Sequence, residues 1–334
     1  MKTTVGYSEE SARGDRTVGL RLYDRCEIAL SGPGTFVDAA VRYLWPQARP
    51  VSVHAGLPLI RLVPGRIPSS LTADAARRPI TLYSSTDGRV PDYNEGVEYQ
   101  GVPGLDRLVV NPHTGSRILV SGSKVHVVNT DTEAGARDAL RVVKQLVTTE
   151  FEAAGVVTVH ASAFAVADGA VAVVGPPGAG KTSTVLAAIA TGARMIANDK
   201  VYASTDAHGT RIRGWTDPIR VIEAPGAPKR TVTLAAYFTE DLSRLAVDPL
   251  QLRTVVAADV GTRSLPVRCE ELDPAAGLLS LRCEVLPRRV RWLGTEPPAA
   301  QRPLLPSADR FLRLAYGYHD AARAMELLLR HLDA

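Results

Sequence analysis

Gly175, Pro176, Pro177, Gly178, Ala179, Gly180, Lys181 and Thr182 stand in the order G-x-x-x-x-G-K-[ST], with Ser183 next. An apolar run at 170–174 precedes them and a helix-forming run at 181–191 follows. That context turns the spacing into a phosphate cradle for a nucleoside triphosphate. Glycines without Cβ atoms allow successive backbone N–H groups to turn inward on a phosphate. The start of the following helix adds about half a positive charge at the same place. Lys181 would supply a full charge to the β/γ-phosphate oxygens, and the Thr182 hydroxyl would ligate magnesium. A glycine-rich turn with no ligand would leave the Lys-Thr pair unexplained.

Such a loop holds a nucleotide without naming a reaction, so its neighbours must decide. His160 stands ahead of it in His160-Ala161-Ser162-Ala163, separated from it by a two-strand hairpin turning at Asp168-Gly169. Behind it, Gly192 ends the helix and a short strand at 194–197 delivers Asn198-Asp199. An imidazole suits proton transfer near neutral pH. Read by itself, though, His160 also fits a hydrogen-bonded core residue.

His160-Ala161-Ser162-Ala163, the P-loop, and the helix–Gly192–strand–Asn198-Asp199 element, in that order and spacing, resemble the HPr kinase/phosphorylase family and its relatives, among them kinases of lasso-peptide precursors. The likeness spans about residues 150–225. It implies a C-terminal HPr kinase-like P-loop domain with a mixed sheet flanked by helices. It also implies ATP with Mg2+, a peptide, protein or small-molecule phosphoacceptor, and a homo-oligomer. The family carries an acidic pair after the P-loop helix, the first acid serving as base on the acceptor hydroxyl and the second lying on the magnesium side. Asp199 matches the second, a metal partner beside Thr182. Asn198 matches the first and departs from it, because an amide cannot accept a proton. Four readings stay open. Asp199 serves as base and metal partner, His160 acts instead, no strong base is needed in a loose phosphoryl transfer, or the site binds without turning over. Arg220, in a segment at 214–220 resembling a family segment with a proline and a basic residue, would neutralise the transferring phosphoryl group; a surface arginine fits equally. Residues 224–229 with Arg230 read as a closing loop or an ordinary connection, and Arg288, Arg289 and Arg291 as a solvated strand edge or a contribution to a neighbouring subunit's site.

These groups need a scaffold, and the chain supplies one. Its 334 residues favour two domains, and 45% apolar with 22% charged residues is an ordinary globular balance. A net charge of +4 without a clustered basic stripe argues against nucleic acid as partner. The three cysteines have no paired short spacing, which speaks against a disulfide framework or zinc site. With no apolar h-region at the start and no membrane-spanning run, the expectation is a cytoplasmic protein that does not bind membrane.

The fold class expected is α/β, with a smaller α/β or β-rich N-terminal domain at 1–130 that recognises the acceptor and a nucleotide-binding catalytic domain at 131–334. Short strands are expected at 18–22, 26–30, 59–63, 80–83, 108–110, 118–120 and 125–128, with one helix at 35–44 and loops at 64–70 and 86–103. Leu140, Val143, Leu146, Val147 and Phe151 share one face of a helix over 131–154 that Thr130 and Glu133 would cap and Gly155 would end. The C-terminal stretch 307–332 reads as one or two helices.

The leading function is therefore an ATP- and magnesium-dependent kinase acting on a hydroxyl or guanidino acceptor. Its alternative is a nucleotide-binding switch with little turnover, which Asn198 favours. A motor or transport ATPase lacks its signature after the loop, and a phosphoenolpyruvate carboxykinase-like lyase lacks its further metal ligands. No N-K-x-D motif selects guanine over adenine.

Overall fold

The computed structural model describes residues 14–72, 74–82, 95–167, 169–215, 217–221, 230–261, 266–286 and 304–333. The chain divides into two compact units, one running through Glu150 and the other beginning at Phe151. The division falls near the end of the long helix rather than at its start, where the sequence suggests it.

The first unit runs β1 (Asp15–Leu22), β2 (Cys26–Pro33), α1 (Gly34–Leu44), β3 (Ala48–Val51), β4 (Leu59–Pro64), β5 (Ala76–Thr81), β6 (Glu95–Gln100), β7 (Arg107–Val110), β8 (Arg117–Ser121) and β9 (Lys124–Asn129), then α2 (Thr132–Ala153), whose last residues pass into the second unit. The described strands form one mixed sheet in the order β3-β1-β2-β4-β9-β8-β7-β6-β5. β4 lies parallel to β2 and β9, and the other pairs are antiparallel. α1 buries Phe36, Val37, Ala40 and Leu44, one stripe at helical spacing. α2 does the same with Leu140, Val143 and Val147. Its cap differs from the expected box: Asp131 Oδ1 accepts from the Ala134 N–H at 2.8 Å, and Glu133 instead meets Tyr43 Oη at 3.1 Å. The loop expected at 86–103 gives way to β6 over Glu95–Gln100, because pairing with β5 and β7 satisfies its backbone.

The second unit runs β10 (Val157–Val159), β11 (Ser162–Val166), β12 (Gly169–Val174), α3 (Lys181–Ala190), β13 (Arg194–Ala197), β14 (Lys200–Asp206), β15 (Gly209–Trp215), β16 (Ile219–Val221), β17 (Arg230–Val232), α4 (Leu234–Phe238), β18 (Leu250–Gly261), β19 (Arg268–Glu271), α5 (Pro274–Cys283), β20 (Arg310–Gly317) and α6 (Ala321–Asp333). Its main sheet is ordered β10-β14-β15-β18-β12-β11-β13, with β20 beside β18 and β19 beside β20. β12, β18 and β20 run parallel and the remaining pairs are antiparallel, so this sheet is mixed too. β16 and β17 make a separate small hairpin. Asp168, the expected turn residue between β11 and β12, lies outside the described residues. All three cysteines are free thiols. No described helix is long and apolar enough to cross a membrane.

The C-terminal stretch corrects the sequence reading. Residues 310–317 form a strand, and only Ala321–Asp333 continues as an α-helix. Leu312, Leu314 and Tyr316 are buried at the period of a strand. The open edge of β18 captures them in an eight-residue parallel register from Thr254↔Arg310 to Gly261↔Gly317. Met325 and Leu328 are buried on the helix that follows.

The core beneath the candidate site is built of small residues, among them Ala163, Ala172, Val174, Ala197 and Val255. Small side chains let strands cross closely, and Gly214 marks the tightest point: a Cβ there would fall 1.6 Å from the Ile196 carbonyl oxygen. Gly214→Ala is therefore expected to destabilise the second unit by on the order of 3 kcal/mol or more. A denaturant titration checks this; a loss near zero would contradict the packing.

Candidate functional site

The phosphate cradle begins where β12 ends. The apolar strand Gly169–Val174 is buried throughout, and at Gly175 the chain leaves the sheet with φ 143°. Gly178 and Gly180 follow at φ 87° and 86°, a left-handed conformation that residues with a Cβ adopt at a cost. Gly180 has a second reason to lack a side chain: a Cβ would sit 2.3 Å from Val260 Cγ2. At Gly178 a Cβ would meet nothing within 4 Å among the described residues, which leave the loop's crest open. Pro176 and Ala179 close a turn through Ala179 N–H to Pro176 O, 3.0 Å, and the loop is pinned to β18 through Val260 N–H to Ala179 O, 3.2 Å. α3 then starts at Lys181, with its free N–H groups and dipole at the loop.

Lys181 is only 8% exposed. Its ammonium donates to Gly175 O at 2.6 Å and to Pro176 O at 3.4 Å. Burial pulls its pKa below the ordinary lysine range, and the nearby carboxylates of Glu284 and Asp199 oppose that shift. A cation held in a desolvated place beside an open crest is arranged to meet an anion. Thr184, one turn into α3, hydrogen-bonds Gly180 O at 3.1 Å and Tyr316 Oη at 2.9 Å, fastening the helix start to β20.

β13 brings the second part. Its Ala197 pairs with Ala163 of β11, so Asn198 and Asp199 emerge beside the first turn of α3. Thr182 Oγ1 donates to the Asn198 carbonyl at 3.1 Å, and Ser162 Oγ donates to the same oxygen at 2.7 Å. With its proton committed there, the Thr182 hydroxyl keeps lone pairs for a cation. The Asn198 side chain points elsewhere: Nδ2 donates to Asp217 O at 2.7 Å and lies 3.4 Å from Pro218 O.

His160 follows β10. Its Nδ1 stands 3.0 Å from Glu284 Oε2 and its Nε2 3.6 Å from Asp199 Oδ1. Lys200 Nζ lies 3.8 Å from Asp199 Oδ2. Glu284 is the group that sequence reading missed. It caps the C-terminal end of α5, and two backbone hydrogen bonds lock it beside β10, His160 N–H to Glu284 O at 2.8 Å and Leu286 N–H to Thr158 O at 2.8 Å, which together make the antiparallel bridge between Val159 and Val285. Neither motif nor spacing flags a glutamate 124 residues from its histidine.

The structure thus brings His160, Lys181, Thr182, Asn198 and Asp199 together and adds Glu284. Ser183 occupies the first turn of α3. Pro176 and Pro177 are exposed at the crest. Arg220 lies in β16, its backbone paired with Thr231. Residues 224–229 and Arg288, Arg289 and Arg291 lie outside the described residues. Among the described residues no group of three His, Cys, Asp or Glu side chains is arranged to hold a metal by itself. Thr182 and Asp199 are a donor set that magnesium can use together with phosphate oxygens and water.

No family model and no curated protein matches the chain. Among solved structures, the Hpr(Ser) kinase/phosphatase from Coxiella burnetii is similar at 12% sequence identity and a TM-score of 0.29, over 53% of this chain and 95% of that one.

Proposed function

We propose that the second unit is an ATP- and magnesium-dependent phosphotransferase that passes the γ-phosphate to a hydroxyl of a peptide, protein or small metabolite, or to a guanidino group. One observation carries the reading. The Thr182 hydroxyl is hydrogen-bonded to the carbonyl of Asn198, so the chain itself holds together the hydroxyl and the Asp199 carboxylate that would share one cation at the mouth of the loop. A turn with no ligand has no use for that pairing.

In this reading the loop N–H groups and the start of α3 bind the phosphates, and Lys181 turns from Gly175 O to the β/γ oxygens. Thr182 and Asp199 would hold magnesium, which would supply positive charge against the charge that develops on the phosphates. A new bond forms from the acceptor atom to the γ-phosphorus as the β–γ bridging bond breaks, ADP leaves, and the acceptor's proton passes to solvent or a nearby carboxylate. Glu284 holds the His160 ring through Nδ1, which aims Nε2 at Asp199 and restrains that carboxylate. In a loose transition state such positioning and charge balance supply most of the catalysis.

The test is transfer itself. Incubating the full chain with Mg-ATP and panels of peptides, hydroxylated metabolites and guanidino compounds is expected to give an acceptor heavier by one phosphate group, and only with Lys181 intact. A second reading, a nucleotide-binding switch, draws on the sequence: Asn198 matches by position the acid that serves as base in the family the chain resembles, and an amide cannot take a proton. Mg-ATP binding with no product across every panel would favour it.

A further inference from the structure

Asn198 is 7% exposed. Its amide orientation follows from its neighbours: Nδ2 faces the Asp217 and Pro218 carbonyls, and a flipped amide would set oxygen against oxygen. Oδ1 is buried and has no hydrogen-bond partner among the described residues, a desolvation cost that a small apolar residue would avoid. The residue is therefore neither a neutral filler nor a relic of a carboxylate. An aspartate here would place a charge against two carbonyl oxygens and beside Asp199.

We infer that Asn198 is a positioning residue that latches residues 217–221, the segment leading into β16 and Arg220, to the end of β13 that carries Asp199. The backbone carbonyl of Asn198 receives Thr182 and Ser162 while its side chain grips Asp217. One residue thus ties together the cation side of the site, the strand following His160, and the β16–β17 hairpin. The amide is required because only it offers a donor in that place. The inference rests on the phosphotransferase reading above for what the latched segment serves, but the latch itself is a property of the fold.

The experiment compares the full-length wild type with Asn198→Asp and Asn198→Ala. Two quantities are read: steady-state hydrolysis of Mg-ATP, with water as the acceptor probe, and hydrogen exchange of the backbone amides in residues 217–221. The latch is expected to give exchange about tenfold faster in both variants. It is also expected to give a kcat lower by about tenfold or more, with the KM for ATP held within about threefold. A merely structural role would move both kinetic constants or neither. Asn198→Asp turning over faster than the wild type would overturn the inference, because it would mark position 198 as a disabled base. Unchanged exchange in both variants would overturn it as well. If Asn198→Asp fails to fold, Asn198→Ala still decides the exchange result. A wild type that hydrolyses no ATP would count against the phosphotransferase reading, while the exchange comparison would still judge the latch.

Discussion

Lys181→Ala is expected to lower Mg-ATP turnover about a thousandfold, the scale of removing one preorganised charge donor from a transition state. The same substitution is expected to leave the fold intact. Among the described residues the Lys181 ammonium hydrogen-bonds only carbonyls of its own loop, Gly175 and Pro176. Burial already disfavours its charged form, with Glu284 and Asp199 only partly offsetting that. Removing a partly desolvated cation relieves a cost as well as losing two hydrogen bonds, so the net stability change is expected to be small. Lys181→Met keeps the buried stem and separates packing from charge. Turnover by both variants, followed beside thermal melts, checks this. A fully active Lys181→Ala enzyme would contradict the placement of the phosphates, and a collapsed Lys181→Met would show the lysine to be structural.

Asp199→Asn is expected to have the next largest effect, a loss of about a hundredfold or more in kcat. It should also raise about tenfold the magnesium concentration giving half-maximal turnover. Asp199 is the carboxylate adjoining the Thr182–Asn198 link, half exposed where a cation would arrive, and it is restrained by His160 and Lys200. The amide keeps the shape and loses the charge, so nucleotide binding without magnesium should survive. Glu284→Gln and His160→Ala act on Asp199 only through the ring, and both are expected to lower kcat less than Asp199→Asn does. Magnesium titrations of turnover for the three variants give the ranking. If His160→Ala proves the most damaging, the histidine touches the reacting atoms and the positioning role is wrong.

The parts of the site that could be read from the sequence are those joined by short chain. The run from β11 through β12, the loop and α3 to β13 lies within a few dozen residues, and each turn carries its own chemistry: positive-φ glycines at 175, 178 and 180, and Gly192 ending the helix. Local rules suffice there. Long-range partners left no such mark. β18, which pins the loop through Val260, is buried on both faces along much of its length and so lacks the alternation that betrays a half-exposed strand. β20 carries Leu312, Leu314 and Tyr316 at strand spacing, but leucines just downstream continue at helical spacing into α6. Pairing with β18 decides in favour of the strand, and only the folded chain contains that information. Glu284 reaches His160 because α5 ends against β10, a tertiary fact. Asn198 was visible in the sequence only as a departure. The direction of its amide, toward Asp217 rather than toward the cation side, is what gives the departure a meaning.

The most direct measurement is calorimetric titration of the full-length wild type with ATP, with and without magnesium, repeated with Lys181→Ala. Magnesium-strengthened binding at one site per chain, lost in Lys181→Ala, is the expected result, since the loop, Lys181, Thr182 and Asp199 would then be acting on one triphosphate. The absence of binding to any nucleoside triphosphate, or binding indifferent to both magnesium and Lys181, would contradict it.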